Sequence, residues 1–402
     1  MAKTSIIIIG GGAAGFFCAA NLESEKFDIT ILEQNSDVLQ KVKISGGGRC
    51  NVTHACFDPR DLVTFYPRGE RELLSVFSKF QPGDTMDWFE SRGSELKIEA
   101  DNRIFPVSNS SKTIMDTMEN EVQAKHVTTL TKTTVKAVER QNGNYLISTN
   151  NGEFLADHVV FCTGSSPKSL KILEQLGHTI VPQVPSLFTF NIEDHLLKDL
   201  PGTSFPNAEV TVPELKATES GPLLITHWGL SGPAILRLSA WKARELFELN
   251  YRFRIEVNFI SIPLQQAEEV FREFRHRNPK KSIGQSKIFE ITSRFWNKIL
   301  ELSGIQAEKQ VSQISKKEMA MLLEKLCKKQ LEVKGKSTFK DEFVTAGGVD
   351  LREINFKNMS SKILPNFYIA GEVLNIDAVT GGFNFQACWS EGWLVAQDLN
   401  SR

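Results

Sequence analysis

The sequence has almost no net charge. Its 47 lysine and arginine residues are balanced by 48 aspartate and glutamate residues, so the formal charge of the 402-residue chain is −1. A balance of this kind excludes a global field that would draw nucleic acid or an acidic membrane surface to the whole molecule. No apolar run approaches the ~20 residues of a membrane-spanning helix, and we therefore expect no membrane partner.

Cysteine is also scarce and scattered. The six cysteines form no Cys-x-x-Cys pair and no cluster with the spacing of metal ligands, so the sequence predicts no metal site. An apolar strand begins within a few residues of Met1, which leaves no room for a signal peptide. These features lead us to expect a cytoplasmic protein with reduced thiols.

The chain does contain a glycine turn between an apolar strand and a helix, close to its start. The strand at 5–9 runs into Gly10-Gly11-Gly12-Ala13-Ala14-Gly15, which is a G-x-G-x-x-G fingerprint. In such a turn the first glycine allows the tight bend, the second lets a pyrophosphate approach the backbone, and the third lets helix and strand pack closely. The helix from Ala13 to about Ser24 would point its N-terminal N–H groups at the phosphates.

An acidic residue follows the second strand. The strand at 27–32 ends at Glu33, close to the ~20-residue spacing at which an acid binds the ribose hydroxyls of a dinucleotide. We predict Glu33 and its neighbour Gln34 as contacts to the adenosine part of a cofactor.

A second glycine turn lies near the end of the chain. The apolar run at 367–370 leads into Gly371-Glu372, and Gly381-Gly382-Phe383-Asn384 follows at the start of a long predicted helix. A simple nicotinamide enzyme does not need this return to the nucleotide, whereas a flavoprotein needs it to close over FAD. The positive N-terminus of the last helix would then face flavin N1 and O2, which carry the negative charge of reduced flavin.

A third glycine-rich segment runs from Ser45 to Thr53. Consecutive glycines are costly in backbone entropy, and they make sense where the backbone lies against a flat or charged ligand, because successive N–H groups can form an anion nest. The predicted cofactor contacts in and before this segment are Lys41, Gly47, Gly48, Arg49 at the pyrophosphate, Cys50, and Asn51 at the flavin edge.

The middle of the first region is predicted to contain a β-meander. Asn142-Gly143 and Asn151-Gly152 are hairpin signals between alternating runs. The strand at 158–162 then ends in Thr163-Gly164, where an open α/β sheet places its ligand crevice. Thr163 and Gly164 are therefore predicted cofactor contacts.

The order of these motifs resembles the BaiN/YhiN-like (aminoacetone-oxidase-like) family of bacterial FAD proteins, over essentially the whole chain. The motifs that carry the resemblance are Gly10–Gly15, Ser45–Asn51, Thr226-His227-Trp228-Gly229-Leu230-Ser231-Gly232-Pro233, Thr345–Val349, and Gly371-Glu372 through Gly381-Gly382-Phe383-Asn384. The chain departs from the family pattern where His54 replaces an asparagine and Phe383 a frequent tyrosine, and Cys162-Thr163-Gly164-Ser165 also differs.

The resemblance implies an α/β fold, with a Rossmann-like FAD-binding domain of the glutathione-reductase type interrupted by a β-barrel-like domain and a small helical domain. It further implies that Val135 meets the adenine through its backbone, and that Glu372 and Asp377 bind the ribitol or a pyrophosphate water. Family members carry assignments as different as bile-acid dehydroreduction and amine oxidation, so the resemblance fixes no substrate.

The sequence pattern places the domain boundaries. We predict an FAD-binding domain at 1–187 and 345–402, a β-rich insertion at 188–262 and 331–344, and a helical insertion at 263–330. The helical insertion holds 14 lysine and arginine and 8 aspartate and glutamate residues, a formal charge of +6. A solvated helix face explains these charges more simply than a nucleic-acid partner, because no aromatic stripe interleaves them.

The substrate side is less defined. His227 is predicted to exchange protons and Trp228 to wall the pocket, if their segment faces the flavin. The competing interpretation is a structural loop with Ser231 as helix N-cap and Pro233 in the first turn. His54 is a third candidate, beside the ring.

Three functions follow. The favoured one is an FAD-dependent oxidoreductase that transfers hydride between flavin N5 and a small organic substrate bound between the FAD domain and the β insertion. The alternatives are a flavoprotein that acts on or docks to RNA through its basic helices, and a flavin-binding protein without catalysis. No second complete fingerprint follows a strand, so NAD(P)H is expected only as a transient electron donor.

Overall fold

The structure is a computed structural model that describes residues 3–337 and 344–402. The chain divides into two compact units, one of Met1–Val184 with Lys340–Arg402 and one of Pro185–Phe339. Within the described ranges, no helix is both long and apolar enough to cross a membrane. The finer division into three domains that we expect from the sequence stays a prediction.

The strands of the described residues are β1 (Thr4–Ile9), β2 (Phe27–Leu32), β3 (Thr53–His54), β4 (Leu96–Ile98), β5 (Arg103–Pro106), β6 (Thr128–Leu130), β7 (Val135–Gln141), β8 (Asn144–Thr149), β9 (Gly152–Ala156), β10 (His158–Phe161), β11 (Ile180–Ser186), β12 (Thr189–Ile192), β13 (Ser204–Val212), β14 (Ala217–Ile225), β15 (Gly229–Ser231), β16 (Arg252–Asn258), β17 (Lys329–Ser337), β18 (Val344–Val349), β19 (Ile354–Asn355), β20 (Ser360–Ser361) and β21 (Phe367–Ile369).

The α-helices of the same residues are α1 (Ala13–Asn21), α2 (Gln40–Gly48), α3 (Pro59–Val63), α4 (Glu70–Phe77), α5 (Pro82–Glu90), α6 (Ser111–Ala124), α7 (Pro167–Gln175), α8 (Pro233–Trp241), α9 (Ala243–Glu248), α10 (Leu264–Arg277), α11 (Ser293–Leu302), α12 (Lys316–Cys327) and α13 (Phe383–Asn400).

A seven-stranded sheet organises the first unit, in the order β19-β20-β21-β10-β1-β2-β6. The strands β21, β10, β1, β2 and β6 are parallel. The residues at 6–9 of β1 are all buried, as expected of a central parallel strand that is covered on both faces. Because parallel strands end at the same edge, the turns after β1, β2, β10 and β21 meet there.

The helices α1 and α13 cross closely beside this sheet. A Cβ atom at Gly392 would lie 2.6 Å from the carbonyl oxygen of Ala14, so only glycine permits this approach. The N-termini of both helices follow glycine turns, at Gly12 and Gly382. The long last helix is therefore part of the core of the first unit.

The β-meander of the sequence prediction is confirmed as the antiparallel sheet β7-β8-β9. Asn142 and Gly143 both have positive φ values, 50° and 93°, which is the conformation of a type I′ hairpin turn. From the sequence we expect helices and loops at about 60–125. This prediction is wrong at β4 and β5, because β5 pairs with both β3 and β4 in a small sheet. These strands have two to four residues, too few to show an alternating pattern.

The predicted β-rich insertion is a closed barrel in the second unit, in the order β12-β15-β14-β13-β16-β17. The predicted return strand at 331–344 is confirmed as far as Ser337 of β17, whereas 338–343 lie outside the described residues. Ser231 lies in β15 and the N-cap of α8 is Gly232, so the predicted capping role of Ser231 is wrong. Pro233 does occupy the first turn of α8.

The helices of the second unit share one hydrophobic core with the barrel. Phe295 of α11 packs its ring 4.7 Å from that of Phe205 of the barrel. The spacing of Ile288, Ile291, Phe295 and Ile299 predicts one helix through all four. This prediction is wrong for the first two, since α11 begins at Ser293 after the N-cap Thr292. The side chain of Thr292 accepts a hydrogen bond from the backbone of Phe295 and so starts the helix there.

Candidate functional site

The first glycine turn has three glycines with different surroundings. Gly10 has a φ of +114°, and a Cβ there would lie 2.3 Å from the carbonyl oxygen of Cys162, while a Cβ at Gly15 would lie 2.2 Å from the carbonyl oxygen of Gly10. A Cβ at Gly12 would meet nothing within 4 Å. Two glycines therefore serve the close packing of the protein, and the one at the N-cap of α1 borders open space. The first N–H groups of α1 point out of the helix at this position.

Glu33 lies beside that turn and is 8% exposed. Its carboxylate accepts hydrogen bonds from the backbone N–H of Gly11 and from both the backbone and side-chain N–H groups of Asn35, each at 2.8 Å. A carboxylate has about four lone-pair positions, so these three donors orient the group and leave acceptor capacity for a further hydroxyl. Gln34 follows it in the chain and is exposed.

Unpartnered polar atoms lie after β10 and β21. The hydroxyl of Thr163 and one carboxylate oxygen of Glu372 are buried, with no hydrogen-bond partner in the part of the chain that the structure describes. The other carboxylate oxygen of Glu372 accepts a hydrogen bond from the ammonium of Lys41, and it lies 3.8 Å from where a Cβ of Gly164 would be. The segments that follow two neighbouring strands thus each carry a buried oxygen atom without a partner among the described residues.

The run of three glycines forms the end of α2. Ser45 breaks the helical conformation, and Gly46, Gly47 and Gly48 all have positive φ values. Cβ atoms at Gly47 and Gly48 would meet nothing within 4 Å. The glycines at these two positions are not required by protein packing, which agrees with a ligand lying against their backbone.

Arg49 is engaged within the protein. Its guanidinium donates to the carboxylate of Glu99 at 2.7 Å and stacks on the ring of Phe105, 3.8 Å from the ring centroid. The hydrogen bond from Arg49 lowers the pKa of Glu99. These contacts account for the arginine without a phosphate, so the pyrophosphate contact of Arg49 stays a prediction.

Cys50 and Asn51 continue this segment in different ways. Cys50 is buried with a φ of 60°, and burial raises the pKa of its thiol to about 12. A thiol of this kind is protonated at neutral pH and is a poor redox nucleophile. The side-chain oxygen of Asn51 is buried and has no hydrogen-bond partner among the described residues, so it is available to a ligand donor.

The start of α13 closes the site. Gly381 and Gly382 have φ values of +138° and +93°, and a Cβ at Gly382 would lie 2.6 Å from the carbonyl oxygen of Thr53 and 2.8 Å from the side-chain oxygen of Asn51. The helix begins at Phe383 without a side-chain cap. Its first N–H groups therefore need partners from outside the helix, beside the unpartnered oxygen of Asn51.

His54 lies against the same turn. Its ring stacks on that of Phe383 with centroids 4.6 Å apart and planes at 27°, and Phe383 also stacks on Phe65 at 4.3 Å. Burial lowers the pKa of His54, and the nearby Asp101 opposes that shift. The imidazole is therefore neutral at physiological pH and can offer one N–H donor.

Residues 4–398 match the family described as HI0933-like protein Rossmann domain. The chain belongs to this family. It is 27% identical to the ribosomal RNA dihydrouridine synthase of Escherichia coli (strain K12), over 99% of this chain and 98% of that protein. It is also 27% identical to the 3-dehydro-bile acid delta(4,6)-reductase of Clostridium scindens (strain ATCC 35704 / DSM 5676 / VPI 13733 / 19), over 98% of both chains.

Solved structures with the same fold include the 3-ketosteroid-delta4-(5alpha)-dehydrogenase of Rhodococcus jostii RHA1, with a TM-score of 0.51, 10% identity and 98% of both chains covered. A flavocytochrome c3 fumarate reductase has a TM-score of 0.50 and 13% identity, with 99% of this chain and 78% of that chain covered. The predicted fold class and the resemblance to BaiN/YhiN-like flavoproteins are therefore confirmed. This member of the HI0933-like family is an FAD-dependent oxidoreductase.

The residues of this site fit FAD. The open space at Gly12, Gly47 and Gly48 is where a pyrophosphate and a flat ring would approach the backbone. The oxygen atoms of Thr163 and Glu372 that have no partner among the described residues could accept hydrogen bonds from hydroxyl groups of such a ligand. All the predicted cofactor contacts lie in the first unit. Most of them lie at the ends of its parallel strands, in or directly after α2, or at the starts of α1 and α13. Val135 is the first residue of β7. Two positions earlier, the backbone N–H of Thr133 donates to the carbonyl oxygen of Glu33, which ties the start of β7 to the backbone of Glu33.

The remaining predicted catalytic residues lie in the second unit. His227 and Trp228 occupy the exposed turn between β14 and β15, and Trp228 is 61% exposed. The backbone N–H of Thr226 donates to the carbonyl oxygen of Gly229 at 2.8 Å and closes this turn. The catalytic roles of His227 and Trp228 stay predictions.

The sequence did not reveal the contacts that two buried acids of the first unit make in the structure. Asp377, predicted as a ribitol or water contact, is fully buried and bonds to the guanidinium of Arg68. Glu391 accepts a hydrogen bond from the backbone N–H of Gly371 at 2.5 Å, and burial raises its pKa to about 8. The sequence pattern can predict which face of a helix carries an acid, but it does not show which residue, distant in the chain, forms a hydrogen bond with that acid.

Proposed function

We propose that the protein reduces a carbon–carbon double bond conjugated to a carbonyl group in a planar ring of a small organic substrate. Two observations carry the cofactor part. Oxygen atoms of Asn51, Thr163 and Glu372 are buried without a partner among the described residues, and Gly12, Gly47 and Gly48 border open space. Support for the reaction class comes from two relatives of different names, a dihydrouridine synthase and a delta(4,6)-reductase. Both names describe saturation of a ring double bond.

FAD supplies hydride transfer at N5 when it is bound. The residues of this chain hold and tune that chemistry. The first N–H groups of α13, at Phe383 and Asn384, stabilise negative charge at the pyrimidine end of the flavin. Glu33 holds the ribose hydroxyls, while the backbone at Gly12 and the start of α1 hold the pyrophosphate.

We assign His54 the role of hydrogen-bond donor to the substrate carbonyl. It lies against Gly381, where a Cβ would be 3.6 Å from the His54 ring. Its neutral imidazole would donate one hydrogen bond to the carbonyl oxygen and withdraw electron density from the double bond, which favours hydride acceptance. His227 would exchange the proton and Trp228 would wall the substrate from the barrel unit.

The test uses the flavin as its own reporter. Purified protein is reduced anaerobically with NADPH or NADH while the flavin band near ~450 nm is followed. Conjugated ring enones and uridine are then added, with their saturated analogues as matched controls. We expect reoxidation by the conjugated compounds alone. Equal rates with conjugated and saturated compounds, or reoxidation only by oxygen, would contradict the proposed reaction.

A second candidate substrate is uridine within RNA. The basic segment 263–330 carries a formal charge of +6 while the whole chain carries −1, and two relatives are named ribosomal RNA dihydrouridine synthase. Phosphate binding through this segment would give a steep loss of RNA affinity with rising salt. RNA affinity that is unchanged between low and high salt would argue against this candidate, as would free uridine reacting as fast as uridine in RNA.

A further inference from the structure

Two segments far apart in the chain meet at the start of α13. One follows α3 and the other precedes α13. The backbone N–H of Val379 donates to the carbonyl oxygen of Phe65 at 3.0 Å, and the hydroxyl of Tyr66 donates to the carbonyl oxygen of Phe383 at 2.6 Å. The rings of Phe65 and Phe383 stack with their centroids 4.3 Å apart. The first turn of α13 is thus held from outside by both backbone and side-chain contacts.

We call the segments 65–69 and 374–383 together the α13 brace. At its centre Arg68 and Asp377 form an isolated antiparallel bridge, and the guanidinium donates from Nε and Nη2 to the two carboxylate oxygens. The side chain of Asp377 is 0% exposed and that of Arg68 is 14% exposed. A carboxylate this deeply buried stays ionised only when a cation is fixed beside it. The guanidinium of Arg68 therefore compensates the charge of Asp377 and orients its carboxylate.

The short loop from Asp377 to the helix behaves as one unit. The side chain of Asn384 accepts a hydrogen bond from the backbone N–H of Ala378 at 2.9 Å and donates to its carbonyl oxygen at 3.3 Å. Gly382 lies so close to the carbonyl oxygen of Thr53 that no Cβ fits between them. A displacement of Asp377 is therefore passed to the first turn of α13.

We propose that Arg68 is a positioning residue that, through Asp377, holds the N-terminus of α13 where it stabilises the negative charge of reduced FAD. The proposal rests on FAD binding and is independent of the substrate named in the proposed function. The field of a helix terminus falls off within one turn, so a small displacement weakens the preference for the reduced cofactor. Loss of Arg68 also removes a positive charge from the α13 brace, which acts in the same direction.

The test compares how tightly the apoprotein binds oxidised and reduced FAD. For Arg68→Met we expect the ratio of the affinities for reduced and oxidised FAD to fall at least tenfold, which is about 30 mV for a two-electron couple. Arg68→Lys keeps the charge but loses the planar fork, and it should give a smaller fall. It also serves as the second variant if Arg68→Met does not fold.

The double variant Arg68→Met/Asp377→Asn separates position from charge. It removes both charges, so a ratio that still falls severalfold supports positioning. A ratio in the double variant equal to that of the wild type would show a purely electrostatic effect and overturn the proposal.

The matched control is Arg352→Met, which breaks the ion pair with Asp350 of the same unit at an arginine whose side chain is 87% exposed. We expect the control to keep the wild-type ratio. Ratios within twofold of the wild type for both Arg68 variants would also overturn the proposal. Because no substrate is added, an error in the proposed reaction leaves this result unaffected.

Discussion

The two units of the chain bury different kinds of polar group. In the described residues of the first unit, the buried polar side chains include three with carboxyl groups, those of Glu33, Asp377 and Glu391. In the described residues of the second unit they are all hydroxyls, namely Ser186, Thr189, Thr203, Ser239, Ser286 and Ser303. Burial of a carboxyl group is costly without a fixed partner, whereas a buried hydroxyl can donate to a nearby backbone oxygen, as Ser239 and Ser286 do.

The difference separates a unit built for a charged cofactor from one built on apolar packing. Each buried acid of the first unit is tied to a segment expected to contact FAD. Glu33 binds the N–H of Gly11, Glu391 binds the N–H of Gly371, and Asp377 binds Arg68 beside α13. The second unit instead buries an apolar core that its barrel and helices share. Four substitutions can break or sharpen this comparison.

Phe295→Ala should have the largest effect on stability. Phe295 is 0% exposed and its ring lies 4.7 Å from that of Phe205 and 4.8 Å from that of Phe259. Truncation leaves a cavity in the core of the second unit and should lower the free energy of unfolding by about 3–5 kcal/mol, measured by denaturant unfolding. The control Phe247→Ala, at a side chain 50% exposed, should cost far less. Equal losses would mean that the apolar core does not dominate this unit.

Glu391→Gln should change how the stability of the first unit depends on pH. Burial raises the pKa of this carboxyl from 4.5 to about 8. Between these values the folded chain holds a proton that the unfolded chain has released, so the free energy of unfolding falls as pH rises, by up to about 1.4 kcal/mol per pH unit. The glutamine cannot ionise, so the free energy of unfolding of the variant should rise relative to that of the wild type as the pH increases from 5 to 8.

The matched control for that pH series is Glu174→Gln, at an exposed position of α7. Thermal melts of the three proteins across the series provide the comparison. Parallel curves for wild type and Glu391→Gln would show that Glu391 is not protonated in the folded state.

Sequence reasoning succeeded where the signal is local. The turn at Gly10–Gly15, the acid at the end of β2 and the Asn-Gly hairpins each depend on residues close together in the chain. It failed for Arg68 and Asp377, which are 309 positions apart, and no spacing rule links them. It also missed the strand β3, because two residues that pair with a distant strand carry no period of their own.

Gly12→Val tests whether the open space beside α1 belongs to the cofactor. The added side chain meets no protein atom near its Cβ, so the fold should persist, but the valine occupies the space where the pyrophosphate would approach the backbone. We expect FAD affinity to fall at least a hundredfold, about 2.7 kcal/mol, with a smaller fall for Gly12→Ala. Flavin fluorescence during titration of the apoprotein measures both. Full FAD occupancy in the valine variant would place the cofactor elsewhere.

Trp228→Ala should have the smallest effect on stability and so isolates function. The side chain is 61% exposed on a turn of the barrel unit, and its truncation should change the free energy of unfolding by no more than about 0.5 kcal/mol. If Trp228 walls the substrate, the variant should lose kcat/KM for the conjugated ring while its FAD affinity and flavin spectrum stay those of the wild type. Phe247→Ala, the exposed aromatic control of the same unit, should lose neither. Full kcat/KM in the Trp228 variant would show that this side chain takes no part in substrate recognition. Recognition would then be assigned to the first unit, with its buried acids, and the second unit would retain only its apolar core and its basic helices.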